Sequence, residues 1–309
     1  MKQAEQVTNQ TGAGDHLIFR PVQAGDKERV LAFTRQTWGE DNRDYIADVF
    51  DDWLIDPRGE FTAVELAGQV VAIAKLTDLG DDEWWFEGLR VDPAYRRRGI
   101  ALALNRHQVA LARRLGGRVI RYMTGHENTA SQTIGARAGF RHLLTFVAYL
   151  AEAGRDFDLP RLLTLDDLPA LAPWIDSPLM RYQHGAFRDA WSVRTLTPRE
   201  LQTAVEQERV FGLKDAAGRI SAYAVLRPYE YDDDSEDAAR HRLRVDHLDG
   251  EPAAVAELAN RVRALAAERH RGEVSAGVSD YPPLIETIAA AGYVINPDHF
   301  GLWVLELKL

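Results

Sequence analysis

The residues of this sequence that could do chemistry crowd into one stretch, Phe86-Glu87-Gly88-Leu89-Arg90-Val91-Asp92-Pro93-Ala94-Tyr95-Arg96-Arg97-Arg98-Gly99-Ile100-Ala101. Glu87 stands among Trp84, Trp85, Phe86 and Leu89. Apolar neighbours disfavour a charged carboxylate and raise its pKa, which makes Glu87 a candidate general base near neutral pH. The other reading is an ion pair with a nearby arginine such as Arg90. The second feature is the corner Arg96-Arg97-Arg98-Gly99-Ile100-Ala101. A strand that runs through a glycine-containing corner into a helix aims several backbone N–H groups at one point. That point also carries the positive end of the helix dipole, so it suits a phosphate or pyrophosphate. Gly99 adds a position where no β-carbon blocks close approach to the main chain. The other reading of the corner is a solvated basic turn.

The flanking sequence supplies elements to position these groups. Residues 84–91 read as an apolar strand, and a helix follows from about 101 to 115 with Leu104, Val109 and Leu111 apolar. Upstream, residues 16–22 read as a strand. A helix capped by Asp26 runs to about residue 36, and a second helix covers about 45–55, stopped by Asp56-Pro57-Arg58-Gly59. Residues 61–66 and 70–76 read as a hairpin around Ala67-Gly68, with a turn over 79–83. Downstream come a strand over 119–124, a helix over 128–138 ending at Gly139, and a strand over 140–150. Residues 1–15 read as a flexible tail.

Arg96, Gly99 and Ala101 fill the pattern Arg/Gln-x-x-Gly-x-Gly/Ala, and the stretch around them resembles the acetyl-CoA signature of the GNAT acetyltransferase superfamily. The order β-α-α-β-β-β-α-β-α-β over about 16–152 is the order of that fold. The resemblance implies acetyl-CoA as cosubstrate, held by the main chain at Leu89, Arg90 and Val91 and by Arg96, Arg97, Arg98, Gly99, Ile100 and Ala101. It also places Glu87 where the family often carries a base, and Asn128 where the family contacts the CoA arm. Asn128 is equally a good helix cap. One departure stands out: many members carry a tyrosine acid seven residues after that asparagine, where this chain has Gly135. Tyr122 and His126 are the nearby groups that could donate a proton instead, although a core or surface role suits each. A looser resemblance, through Asp44-Tyr45-Ile46, Asp52-Trp53-Leu54, Asp56-Pro57 and residues 87–91, connects the first half to the histidine N-acetyltransferase group and implies a small amino-acid acceptor.

The second half echoes the first. Leu89-Arg90-Val91-Asp92 recurs as Leu243-Arg244-Val245-Asp246, and Ala138-Gly139-Phe140 as Ala291-Gly292-Tyr293. A hairpin over 210–226, a strand over 273–278, a helix over 283–291 and a closing strand over 300–307 complete the second copy, with a capped helix starting at Thr197-Pro198-Arg199-Glu200. We therefore expect an α/β (α+β) protein of two tandem GNAT-like domains, 16–154 and 155–309, each a mixed, mostly antiparallel sheet flanked by helices. The second copy has Leu248-Asp249-Gly250-Glu251-Pro252-Ala253 in place of the basic corner. Two carboxylates and a proline there oppose a polyanion, so acetyl-CoA is expected in the first domain only.

Composition bounds the remaining classes. The 309 residues contain no cysteine, which excludes disulfides, thiolate catalysis and a covalent acetyl-cysteine, and no metal site is expected. A net charge of −10 argues against a nucleic-acid surface, and there is no apolar run of membrane-spanning length and no signal peptide, so a cytoplasmic protein is expected. Glu40, Asp41, Asp44, Asp48, Asp51 and Asp52 could attract a cationic amine or form a solvated face, and the acidic stretch 231–237 reads as a disordered excursion in the second domain's hairpin. The expected activity is direct acetyl transfer to the primary amine of a small molecule or amino acid. Gly135 and the altered second copy also fit a non-catalytic acyl-CoA-binding protein or an interaction protein.

Overall fold

The structure is a computed structural model that describes residues 7–10, 16–37, 44–227, 242–297 and 301–309. Glu40, Asp41, most of the tail over 1–15 and the acidic stretch 231–237 lie outside the described residues. The chain forms two compact units. One comprises Met1–Met123, Asn128–His142 and Leu305–Leu309, the other Thr124–Glu127 and Leu143–Val304.

The first unit is built on strands β1 (Val7–Gln10), β2 (His16–Pro21), β3 (Gly59–Leu66), β4 (Gln69–Gly80), β5 (Glu83–Val91) and β6 (Val119–Gly125). Its helices are α1 (Lys27–Thr34), α2 (Ile46–Ile55), α3 (Ile100–Arg114) and α4 (Thr129–Ala138). Neighbouring strands from β1 to β5 are antiparallel. The expected tail therefore gives way at Val7–Gln10, which pair with residues 16–19. Ala67-Gly68 (φ 51° and 79°) and Asp81-Asp82 (φ 51° and 60°) turn the two hairpins, as two-residue loops with positive φ at both positions do. Helices α1 and α2 cover one face with a core of Val22, Val30, Phe33, Ile46, Phe50, Phe61, Ala63, Val70 and Ile73. Asp26 does not cap α1. Its carboxylate accepts the N–H of Gln23 and pairs with Arg20, closing the turn before the helix.

The second unit contains β7 (Arg141–Glu152), β8 (Arg161–Leu162), α5 (Leu168–Leu171), α6 (Pro178–Tyr182), β9 (Ala186–Asp189), β10 (Ser192–Thr195) and α7 (Pro198–Glu206). It continues through β11 (Val210–Lys214), β12 (Ile220–Leu226), β13 (Arg242–Gly250), α8 (Pro252–Glu268), β14 (Glu273–Ser279), α9 (Pro282–Ala290) and β15 (Val294–Ile295). Its strand order is β7-β14-β13-β12-β11-β8, with β13 and β14 parallel and the other neighbours antiparallel. Helices α8 and α9 pack on one face through Val255, Leu258, Val262, Leu265 and Ile288.

Two features depart from a repeat cut at residue 154. Residues 143–152 pair with β14 inside the second unit, and the end of the closing strand β16 (Leu302–Lys308) belongs to the first. The LRVD echo is also out of structural register. In the first unit it closes β5, whereas in the second it opens β13. Strand β13 then runs directly into the N-cap of α8 at Glu251, so the second unit has no long corner at all.

Candidate active site

The floor of the site is β5. It pairs in parallel with β6 at Glu83↔Val119, Trp84↔Ile120 and Trp85↔Arg121, and no pairing follows, so residues 86–91 diverge from β6. On the other side the β4–β5 register slips between Lys75↔Glu87 and Ile73↔Arg90. This is a β-bulge at Gly88-Leu89, with Gly88 at φ +67°. A β-carbon on Gly88 would lie 2.5 Å from the Trp53 ring of α2, so both the turn and the packing require glycine. A splayed, bulged strand exposes main-chain groups of Leu89 and Val91 in a cleft, and both residues are partly exposed.

Glu87 sits directly beside this bulge and is half-buried. Burial pushes its carboxyl up to about 7, a rise to which Asp56 adds. Lys75, the Trp85 indole N–H and Arg90 pull the other way. Lys75, paired with Glu87 across the β4–β5 ladder, is fully buried and places Nζ 3.2 Å from Asp56 Oδ2 while donating to the Arg58 carbonyl. The alternative Glu87–Arg90 ion pair is not formed. The Arg90 guanidinium instead donates to both oxygens of buried Asp44, at 2.7 and 3.2 Å, and lies over the Tyr45 ring. Arg90 thus contributes its main chain to the cleft and its side chain to the wall. Asp44 is buried in this pair and so is withdrawn from the acidic face, whereas Asp51 pairs with Lys27 at the surface and stays largely exposed. Lys75, Gly88 and the Asp44–Arg90 pair escaped the sequence reading. A lone lysine in the apolar strand 69–76 was the available signal for the first.

The corner keeps the geometry its sequence suggests. Asp92 is buried, accepts the Ala94 N–H at 2.8 Å and pairs with Arg29, which anchors the strand end. Arg96, Arg97, Arg98 and Gly99 are exposed. Gly99 is the N-cap of α3 at φ +80°, and no side chain caps the helix. The first ladder bond runs from Ala103 N to Gly99 O, so the N–H groups of Ile100 and Ala101 have no acceptor within the helix. A β-carbon at Gly99 would meet nothing within 4 Å. An open cradle, free helical N–H groups and three exposed guanidinium side chains fit the pyrophosphate of acetyl-CoA.

At the other end of the cleft Asn128 is the N-cap of α4. Its Oδ1 accepts the Ser131 N–H at 3.1 Å, which is its capping reading. Gly135 is enforced by packing: a β-carbon there would lie 2.0 Å from the Tyr122 hydroxyl. Tyr122 reaches across from β6, donates to the Ser131 carbonyl at 3.0 Å, and packs edge-on to Phe86 and Phe140. Burial raises its phenol to about 12. Tyr122 therefore occupies the space from which a tyrosine at position 135 would extend. His126 is exposed, 3.8 Å from Glu127.

In the second unit the corresponding helix start offers no cradle. Glu251 is the N-cap and Pro252 removes the first N–H. Asp249, expected at that helix start, points inward instead. Its carboxylate accepts the Ser177 hydroxyl at 2.6 Å and the Gly250 N–H at 2.8 Å.

Residues 27–140 match the family model described as Acetyltransferase (GNAT) family. No curated protein matches the sequence. Among solved structures the chain is similar to a GCN5-related N-acetyltransferase from Sphaerobacter thermophilus (TM-score 0.64, 13% identity, covering 94% of this chain and 95% of that one). It is also similar to a putative acetyltransferase from Thermoplasma acidophilum (TM-score 0.57, 16% identity, 94% and 99%). A third is a tandem GNAT protein from the clavulanic acid biosynthesis pathway (TM-score 0.54, 15% identity, 94% and 98%). Identities this low show the shared fold. The family match covers β5, the Gly99 corner and α4 together, and it identifies residues 27–140 as a segment of the GNAT acetyltransferase family, whose members are acyltransferases with acetyl-CoA as cosubstrate.

Proposed function

We propose that the first unit acetylates the primary amine of a small molecule or amino acid, with Glu87 as base and the Gly99 corner as the acetyl-CoA anchor. The observation that carries this reading is the half-buried Glu87 carboxyl, raised to about 7, beside the β5 bulge at the open end of the splay. The bound cosubstrate supplies an activated acetyl thioester. The N–H groups of Ile100 and Ala101, with the side chains of Arg96, Arg97 and Arg98, hold its diphosphate. The main chain at Leu89 and Val91 orients the acyl arm, and Asn128 is placed at its side.

Glu87 takes one proton from the incoming ammonium, leaving a nucleophilic amine. An α-ammonium has a pKa near 8 and an alkylammonium near 10.4, so a carboxylate of pKa about 7 accepts that proton at an uphill cost of about 1.4 to 5 kcal/mol. A carboxylate at the ordinary value near 4 would face about 4 kcal/mol more. The acetyl carbon–sulfur bond then breaks as the carbon–nitrogen bond forms, and the nitrogen releases its second proton to water. The leaving thiolate takes its proton from water or another donor, because packing has excluded a side chain at position 135. Looser likeness to the histidine N-acetyltransferase group supports an amino-acid acceptor, and the aromatic wall of Tyr45 and Trp53 suits a compact one.

The test is amine-dependent release of CoA across a panel of amines and amino acids. Glu87→Gln should lower kcat at least 100-fold for the best acceptor and abolish the acid limb near pH 7, with acetyl-CoA affinity nearly unchanged. Equal rates for the wild type and Glu87→Gln across neutral pH overturn the assignment of the base. Acetyl-CoA binding without release on any amine supports the non-catalytic reading instead.

A further inference from the structure

Among the described residues, the second unit sets two buried guanidinium groups against one buried carboxylate. Arg188 on β9 and Arg227 after β12 are 7% and 8% exposed, and the carboxylate between them is Asp246, 1% exposed. Arg227 takes both oxygens of Asp246 at 2.7 to 3.3 Å and also donates to the Ala190 carbonyl. The Ala190 N–H caps the same carboxylate at 2.9 Å. Arg188 is left with the Ala190 carbonyl at 3.1 Å and a distant approach to Asp246 at 3.9 Å. Neighbouring acids are engaged elsewhere: Asp189 with Arg209 and Arg194, and Glu200 with Arg194. Two guanidinium groups thus share one carboxylate. Burial, Arg227 and Arg244 push Arg188 down to about 10, and among the described residues Asp246 opposes them.

Two buried polar atoms of this unit also lack partners. Among the described residues, Arg227 Nη1 is buried with no hydrogen-bond acceptor, and so is Ser279 Oγ. Arg188 lies against Gly277, where a β-carbon would come within 2.4 Å of its Nη1. Gly277 follows Ala276, the last residue of β14 paired with β13, so Arg188 sits where these parallel strands have parted. Ser279 is two residues on and shares that face. The half-exposed Trp191 ring lies over both guanidinium groups, 4.9 Å from Arg227 and 5.9 Å from Arg188. A buried charge with a weak partner is destabilising, and unpartnered donors add to it. A singly charged anion removes both costs at once.

We propose that the second unit has an oxyanion-binding site formed by Arg188, Arg227 Nη1 and Ser279 beneath Trp191, and that its ligand is a small monocarboxylate. Arg188 is the guanidinium that Asp246 satisfies least, at 3.9 Å, and the two oxygens of a carboxylate match its fork. The site is independent of acetyl-CoA and of Glu87.

The test is thermal unfolding of the full chain against sodium acetate, inorganic phosphate and chloride at fixed ionic strength. Acetate should raise Tm saturably, and chloride should not. Ser279→Ala, which disturbs no ion pair, should weaken the acetate response about tenfold. Arg188→Met should abolish it, and in chloride alone should melt at or above the wild-type temperature, because it removes a weakly partnered buried charge. No saturable acetate effect, or a response to phosphate stronger than to acetate, overturns the proposal. So does an Arg188→Met protein that melts well below the wild type in chloride, since that would make Arg188 a needed partner of Asp246.

Discussion

Glu87 and Lys75 show how one residue tunes another in this cleft. They face each other across the β4–β5 ladder, and Lys75 has no exposure at all. Burial raises the Glu87 carboxyl and Lys75 restrains that rise, with the balance near 7. Replacing Lys75 by Met removes the restraint. Asp56 keeps the N–H and Nε–H bonds from Arg58, at 3.0 and 3.1 Å, so its charge persists and pushes Glu87 in the same direction. The base form of Glu87 is lost as pH falls through its pKa, so a higher pKa moves the acid limb of kcat/KM upward, by about one unit. A pH–rate profile of Lys75→Met with an unmoved limb would show that Lys75 does not tune the base. Glu87 was legible in the sequence because its aromatic neighbours are adjacent in the chain. Lys75 was not, because its effect depends on a strand register that a bulge shifts. The Glu87–Arg90 pairing was equally open until the fold turned the Arg90 side chain to Asp44.

Among elements, β5 and β13 hold corresponding places and have opposite characters. The sequence identified β5, its corner and α3 nearly to the residue, because Asp92-Pro93, Gly99 and an apolar helical stripe mark their boundaries. It put the counterpart of the corner at 248–253, the last three residues of β13 and the start of α8, because a four-letter echo cannot distinguish the end of one strand from the start of another. The buried polar residues of β13 make its stability dependent on pH. His247 is 3% exposed, and its Nε2 lies 3.0 Å from the Tyr223 hydroxyl. Burial lowers its pKa to about 4. Burial raises Asp249 to about 6. For His247 the native state binds fewer protons than the unfolded chain between pH 6.5 and 4, so stability is lost as pH falls through that window. For Asp249 the native state binds more between pH 6 and 4, so stability is gained over nearly the same window. Each effect is about 3 kcal/mol, and the two offset each other. Asp249→Asn removes one side of the balance. It should be more stable than the wild type at pH 7.5, by up to about 3 kcal/mol, and the difference should close by pH 4. Parallel melting curves of the two proteins over that range would rule the balance out.

At the scale of the whole chain, the first unit is not finished until the last residues are in place. Leu305–Leu309 belong to it, far in sequence from the strands they meet. Buried Arg121 donates to Glu83 at 2.9 Å and to Glu306 at 2.8 Å. Leu305 lies against Gly135 together with Tyr122, and the Leu309 N–H closes on the Arg118 carbonyl at 2.9 Å. The same residues that exclude a side chain at position 135 are thus held from the far terminus. A sequence cut at residue 154 conceals this, because the composition of residues 140–150 suits a last strand wherever it pairs. Glu306→Gln should cost the first unit about 1–3 kcal/mol, since Arg121 keeps Glu83 but loses a buried charged partner. Truncation after Val304 should cost more. It strips Leu305 and Leu307 from the α4 side and leaves Arg118 O unpaired, so acetyl-CoA binding should weaken although every residue of the Gly99 corner remains. Urea midpoints and acetyl-CoA titrations of the full chain, Glu306→Gln and the truncated chain measure both effects. A truncated protein with the wild-type midpoint and affinity would show that the terminal five residues only decorate a unit complete without them.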